Sequence, residues 1–405
     1  MPTPKELPFL DIQAPGFSTR GPEVMAARQR GWCARTPLGF AVLCHKQAGQ
    51  LLRDRRMRQG SHDWPRIQNL TGSFANFWKR SVISMEGPAH KSMRRVAQSA
   101  LSSEFIASKI PDFEQVAEIL LAKLRKKPDI EFIRDFSEPF AGLAITRLLG
   151  LPDHVAPSLA HDASRLGLAM GLGARKHQHI FNPACDRLMT QAQDLVDQAR
   201  QSPDPTSFAT LLVKAFDEQS HQDPQKLLDL IVISIFGGVD TTRAQLGFAM
   251  ALFTDHPDQW QKLRERPALT NHAIEEVIRH RPTTTWATRQ ALEDIHLDGQ
   301  TLPKNALVHI LVHATATDPE LGQDNRFDIT QHRKLHFGFG GGAHHCLGQL
   351  VARTDMAAAL RVLTQAWRQT HWTGAPDYLP DSGNTSPTAL PLRADWAEIP
   401  GPTSV

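Results

Sequence analysis

The sequence predicts a mainly α-helical, single-domain protein with a small β region. Three observations carry this expectation: apolar residues recur at helical spacing in long segments, strand signals are few, and one proline-bounded segment is long enough to cross a whole domain. Phe113, Val116, Leu120, Leu121 and Leu124 fall on one helical face. A second helix is expected from about Glu138 to Leu149, stopped by Gly150 with Pro152 beyond it. A third covers roughly Ala184 to Gln201, with Leu188, Ala192, Leu195 and Ala199 on one face. The longest starts near Pro224 and ends before Pro257, because proline suits the first turn of a helix and a later proline ends it. Strands are expected only at Phe40 to Cys44 and as a pair within Ile295 to Val312, folded around Asp298-Gly299. With no repeat and no long linker, residues 1–405 read as one domain, with 1–13 and 398–405 as loose termini.

Composition narrows the function. Hydrophobic residues make up 41% of the chain and charged residues 21%, enough for a large core and against a wholly disordered chain. The net charge of +3 gives no support to a nucleic-acid-binding protein, which would carry a strong basic stripe. Cys33, Cys44, Cys185 and Cys346 are scattered, so a reduced intracellular compartment is the simpler reading. Residues 1–13 lack a signal-peptide layout, and no run reaches the ~18 apolar residues of a membrane span. A cytoplasmic protein is therefore expected.

The strongest local signal is Phe339-Gly340-Gly341-Gly342-Ala343-His344-His345-Cys346-Leu347-Gly348. Glycines permit backbone conformations closed to other residues and close approach to a flat ligand. Such a loop can aim N–H groups at one sulfur, and the helix expected after Gly348 would add its positive end. A structural cysteine in a glycine-rich turn remains an alternative. A zinc corner is less suitable, because adjacent residues seldom converge on one metal and no second ligand cluster has the spacing. The long helix contains Phe236-Gly237-Gly238-Val239-Asp240-Thr241-Thr242. Each interior glycine costs about 1 kcal/mol relative to alanine, so this cluster needs a reason: a packing notch with a kink, or a polar functional site. Glu276 and Arg279 form an i,i+3 acid–base pair, a spacing that on its own describes an ordinary surface pair.

Taken together and in this order, these segments resemble the cytochromes P-450. Phe339, Gly340, Gly342, His344, Cys346 and Gly348 fill the fixed positions of F-G-x-G-x-H-x-C-x-G, and Ala352 and Arg353 continue it. Gly237 to Thr242 resembles the A/G-G-x-D/E-T-T motif, and Glu276 with Arg279 the E-x-x-R element. His90 and Arg94 match an H-x-x-x-R element, and Arg289 a propionate-clamping arginine. The region before the cysteine loop keeps Asp318-Pro319 and Arg326-Phe327-Asp328 but reads Thr315-Ala316-Thr317 where A-N-R is common. The resemblance spans roughly His90 to Arg353 and is closest to soluble bacterial members.

The resemblance implies a P-450 fold with haem b (iron protoporphyrin IX) between the long central helix and the cysteine-loop helix. Cys346 would be the axial iron ligand, Phe339 would shield its sulfur, and His90, Arg94, Arg289 and His344 would hold the propionates. Asp240 and Thr241 would sit where dioxygen binds, as a proton relay, while Glu276 and Arg279 would be structural. The implied activity is monooxygenation of a small or medium hydrophobic molecule. Electrons would come from a separate ferredoxin or flavodoxin-like donor with its reductase, docking at Lys91, Arg95, Arg333, Lys334 and Arg353. Substrate-facing positions expected by the same alignment are 70–78 (with Phe74 and Phe77), 166–172, Ile233, Phe236, Gly237, Thr285 and Ala389, with Phe236 crowding the site. No nucleic-acid partner and no membrane are expected, and the chain is read as a monomer. A peroxide-using or specialised (demethylating, ring-coupling) haem-thiolate enzyme and a non-catalytic haem sensor are the alternative readings.

Overall fold

The computed structural model describes residues 6–219, 223–322 and 324–398. Helices take up 58% of the chain, as the apolar periodicity requires. The helix Ile110–Leu124 buries the expected face of Phe113, Val116, Leu120, Leu121 and Leu124. Glu138–Leu149 ends as expected at Gly150, whose φ of 79° suits a residue without a β-carbon. The long helix is Gln225–Asp255, 31 residues. At about 1.5 Å per residue it spans roughly 45 Å. It is almost entirely buried, packing against Glu138–Leu149, Ala156–Gly167, Gln178–Gln201, Thr270–His280 and Gln349–Ala366. Among the described residues, no helix is long and apolar enough to cross a membrane.

Several boundaries differ from the sequence expectation. The third helix begins at Gln178, because Pro183 is accommodated inside it rather than marking its start. The first strand is Gly39–Val42, and Cys44 instead caps the helix His45–Arg53. Within 295–312 the hairpin is Ile295–Leu297 with Gln300–Leu302. Asp298 (φ 41°) and Gly299 (φ 79°) make a turn whose twist matches the strands. Leu307–Leu311 leaves that hairpin for a five-stranded sheet, between Gly39–Val42 (parallel) and Trp286–Ala291 (antiparallel). The N-terminal stretch is not loose over its described part: Leu10 and Ile12 are buried, and Phe9 bridges to Arg35. Their side chains complete an apolar cluster with Ala34, Leu43 and Leu311. At the other end only Glu398 of 398–405 lies within the described residues, at the exposed edge.

Glu276 and Arg279 are not a surface pair. Both side chains are 1% exposed, and Arg279 donates Nε to Glu276 Oε2 (2.6 Å) and Nη2 to Oε1 (2.7 Å). The pair reaches out to the segment leading to the cysteine loop: Arg279 Nη2 donates to Arg326 O (3.1 Å), and Asp328 N–H donates to Glu276 Oε1 (3.0 Å). Arg333 adds a third charge, 3.5 Å from Glu276 and 3.0 Å from Asp324. Its side chain is therefore spent inside the fold, not on a docking face as the sequence suggested. Removing one partner of a buried charge cluster strands the others, at a cost of about 3–5 kcal/mol. Glu276→Ala should lower the thermal unfolding midpoint and the recovery of folded protein; an unchanged midpoint would contradict this bracing role.

Candidate active site

The cysteine loop is shaped by backbone constraints. Gly340 (φ 69°) and Gly342 (φ 66°) adopt left-handed conformations. Gly340 N–H donates to Phe337 O (2.8 Å), and Cys346 N–H to Phe339 O (2.9 Å), closing the loop on itself. A β-carbon on Gly342 would collide with Leu52 O. The glycine thus permits close approach to the neighbouring helix His45–Arg53, a reason the sequence did not disclose. Gln349–Ala366 follows immediately, as expected.

Cys346 presents open surface. Burial nevertheless pushes its thiol pKa up, against the Gly348 N–H, Arg94, Arg353 and the Gln349 N–H, which pull it down. Cys346 thus combines open residue surface with a desolvated thiol. The expected backbone donors and helix end are thus at the sulfur, in the company of two arginines. Phe339 lies beneath the Arg353 guanidinium (4.3 Å to the ring centroid), and Arg353 is held by Glu275 (2.6 Å from Nε). Arg353, like Arg333, is therefore engaged within the fold. Lys91, Arg95 and Lys334 remain exposed.

The middle of the long helix has a partly open stripe, Ile233, Gly237 and Thr241 at i,i+4 spacing, beside the half-buried Ser234, Gly238 and Arg243. Its two glycines serve different ends. A β-carbon on Gly238 would press on Ile145 Cδ1 at 2.9 Å, whereas one on Gly237 would meet nothing within 4 Å. The packing notch and the open site are thus adjacent residues. Thr241 Oγ1 donates to Gly237 O (2.6 Å). Next to it, Thr242 Oγ1 donates to Asp355 Oδ2 (3.2 Å), tying this turn to the cysteine-loop helix. Burial pushes the Asp355 pKa well above the usual carboxylate range, against the Thr242 hydroxyl and the Met356 N–H. Asp240 lies beside the stripe, 3.0 Å from Arg243.

The other expected site residues converge on the loop. Arg289, 4% exposed, donates Nη2 to Gly341 O (2.9 Å) and Nη1 to Gln59 Oε1 (3.2 Å). Burial lowers its pKa to about 10. Arg94 Nη2 donates to His345 O (2.7 Å). His90 stacks on His344, ring centroids 4.0 Å apart, and its buried Nε2 has no partner among the described residues. Burial, His344 and Arg94 lower the His90 pKa to about 4. Sequence reasoning missed Glu86, four residues before His90, which accepts from Gln59 N–H (2.6 Å) and sits 3.2 Å from His344 Nε2. Burial works to raise the Glu86 pKa, but bonds from His344 and Gln59 prevail and bring it to about 2. Four donor side chains, one with an orphaned nitrogen, therefore gather at the cysteine loop with the carboxylate Glu86 among them. That excess of donors fits a ligand bearing carboxylates, and the backbone donors and arginines at the sulfur fit a thiolate-ligated metal.

The expected substrate-facing set divides. Ile233 and Gly237 lie on the open stripe, and Ala389 is half-buried at the end of the strand Pro387–Ala389. Leu168, Met170 and Leu172 within 166–172 keep some open surface. Phe74 and Phe77 belong to the core: both are wholly buried, and Phe74 packs on Phe77, Trp78 and Phe181 as the apolar face of Ser73–Arg80. Phe236 is 5% exposed and turned into the main core, one residue off the stripe, so it does not crowd the open face. Thr285 is buried and committed to Ser382 O.

Comparison with known proteins agrees with this geometry. The family model for cytochrome P-450 matches residues 171–371. Luteothin monooxygenase of Streptomyces thioluteus is 32% identical over 401 residues, covering 97% of each chain. This chain belongs to the cytochrome P-450 family. Linalool 8-monooxygenase of Pseudomonas putida is 28% identical over 70% of each chain. Among solved structures, P450BioI in complex with hexadec-9Z-enoic acid-ligated acyl carrier protein superposes with a TM-score of 0.83 at 23% identity, covering 92% of this chain and 97% of that one. The protein is thus a bacterial-type P-450 with the P-450 fold, and an enzyme of the haem-thiolate monooxygenase class. The left-handed backbone at Gly342 generates a test. A side chain there costs about 1–3 kcal/mol in strain before any clash. Gly342→Ala should lower haem retention, read as the ratio of Soret to protein absorbance; an unchanged ratio would mean that the loop tolerates displacement from Leu52.

Proposed function

We propose that this P-450 inserts one atom of dioxygen into a small or medium hydrophobic substrate held against the open stripe Ile233, Gly237 and Thr241. The observation that carries this reading is the hydroxyl of Thr241, on a half-buried residue of that stripe and hydrogen-bonded to Gly237 O, one residue from the Thr242–Asp355 link to the cysteine-loop helix. Cys346 is the proposed axial ligand of haem b, with Gly340 and Gly348 shaping its loop and Phe339 covering the sulfur. His90, Arg94, Arg289 and His344 are proposed to hold its carboxylates, Arg289 and Arg94 through the planar donor fork that suits them. When bound, the haem supplies dioxygen activation, tuned by the thiolate. The chain's own work is positional. Asp240 holds or passes a proton at its carboxylate, Thr241 orients that proton's destination, and the apolar stripe excludes water. Glu276 and Arg279 brace the loop and take no chemical part.

Two relatives carry the names of luteothin and linalool, which supports an apolar organic substrate without fixing its identity. The few charges along the stripe support the same class. A ferredoxin or flavodoxin-like donor with its reductase is the proposed electron source. The exposed Lys91, Arg95 and Lys334, with Leu335, 78% exposed, next to Lys334 in sequence, are its proposed docking surface. A cytoplasmic location accords with four unpaired cysteines.

The reduced, carbon monoxide-bound protein should show the Soret shift diagnostic of a thiolate ligand, and Cys346→Ser should abolish it; a normal shift in that variant would refute the ligand assignment. Removing a positioned proton-handling group typically costs 10²-fold or more, so Thr241→Ala should lower product per dioxygen consumed by roughly tenfold or more. Product yield equal to the unmodified enzyme would count against the proton relay through Thr241.

A further inference from the structure

The Asp240 carboxylate is held by neighbours from other elements as well as its own. Its Oδ1 accepts from Arg243 Nη2 at 3.0 Å, both side chains being 11% exposed. The same Nη2 lies 3.3 Å from Ser386 Oγ, so one guanidinium nitrogen bridges the long helix to the segment just before the strand Pro387–Ala389. That segment is itself pressed on the helix: a β-carbon on Gly247 would lie 2.6 Å from Pro387 Cγ. On a third side stands Gly167, the last residue of the helix Ala156–Gly167. A β-carbon there would come within 3.0 Å of Asp240 Oδ1. The acid is boxed by three elements, two of which also carry residues of the proposed substrate surface.

We infer that Arg243 is a positioning residue that clasps Asp240 in an outward orientation, with Ser386 anchoring the clasp to the chain segment that lines the substrate site. The inference rests on the reading of Asp240 as the proton-handling acid. An ionised carboxylate paired at 3.0 Å in a poorly solvated site has little tendency to leave its partner. Each proton passed inward therefore requires the pair to open. Arg243 restrains the acid, and Ser386 makes the restraint sensitive to movement of the strand it precedes. Arg243 was singled out by no sequence motif; only its i+3 spacing from Asp240 hints at the pair.

The test uses the haem-loaded enzyme with a ferredoxin, its reductase and NADPH, with no organic compound added. Readouts are the rate of dioxygen consumption in water and in deuterium oxide, and the fraction of NADPH electrons recovered as hydrogen peroxide. Residues that bias a two-state element shift its coupling by amounts equivalent to roughly three- to tenfold. Arg243→Gln should speed consumption, shrink the solvent isotope effect and raise the peroxide fraction by that factor. Ser386→Ala should act in the same direction but less, and Arg243→Lys should stay nearer the unmodified enzyme. In an Asp240→Asn background, Arg243→Gln should add nothing. A merely structural arginine would lower stability without moving the isotope effect. The clasp is overturned if Arg243→Gln and Ser386→Ala leave both readouts unchanged, or if the Arg243→Gln effect persists undiminished beside Asp240→Asn. If Asp240→Asn alone behaves as the unmodified enzyme, the proton-handling reading of Asp240 falls and takes the clasp with it. Failure of Arg243→Gln alone, with Asp240→Asn impaired, rejects only the clasp.

Discussion

The architecture around the site depends on a charge pair that the protein has taken out of water. Glu276 and Arg279 are fully buried, and an isolated pair in that setting would cost more in lost hydration than it regains by attraction. It is tolerable because most of its hydrogen-bonding groups are used, although Arg279 Nη1 has no partner among the described residues. Arg326 supplies a carbonyl, Asp328 an amide N–H and Arg333 a further positive charge. The segment 326–333 is consequently fixed by electrostatics, since leaving its place would leave the pair unsatisfied. Its fixed position delivers the chain to Phe337 and the cysteine loop.

From there the constraint passes through backbone geometry. Two left-handed glycines turn the loop, Gly342 lets it lie against Leu52 O, and Arg289 grips it at Gly341. The helix that follows Cys346 packs on the long helix, and the Thr242–Asp355 hydrogen bond ties the two together. Burial of Asp355 raises its pKa, and the Thr242 hydroxyl gives its carboxyl a hydrogen-bond partner across the helix pair.

Much of this was legible in the chain. The long helix, the Gly150 stop and the helix after Gly348 follow from periodicity and from the behaviour of proline and glycine. His90, Arg94, Arg289, His344 and Cys346 come together as the ordered motifs imply. Partners with no motif of their own were not legible. Glu86 beside His344, Arg333 on Glu276, Asp355 under Thr242 and Arg243 on Asp240 are chosen by proximity in space. Arg333 and Arg353 looked like surface charge because sequence records charge without exposure, and the fold spends both internally. Phe74, Phe77 and Phe236 were misplaced for the converse reason: an apolar residue near a site reads the same whether it lines a recess or fills the core.

By itself, the sequence determined the family, the ordered set of chemistry-bearing residues and the mainly helical class. These rest on residue types at fixed spacing along one chain. Only the tertiary structure decided which face of the long helix stays open, that Gly237 lines space while Gly238 accepts Ile145, and which arginines remain at the surface. It also decided that Leu307–Leu311 joins Gly39–Val42 rather than its neighbouring hairpin. Each of these depends on what another segment, distant in sequence, brings to the same place, and no local spacing encodes that.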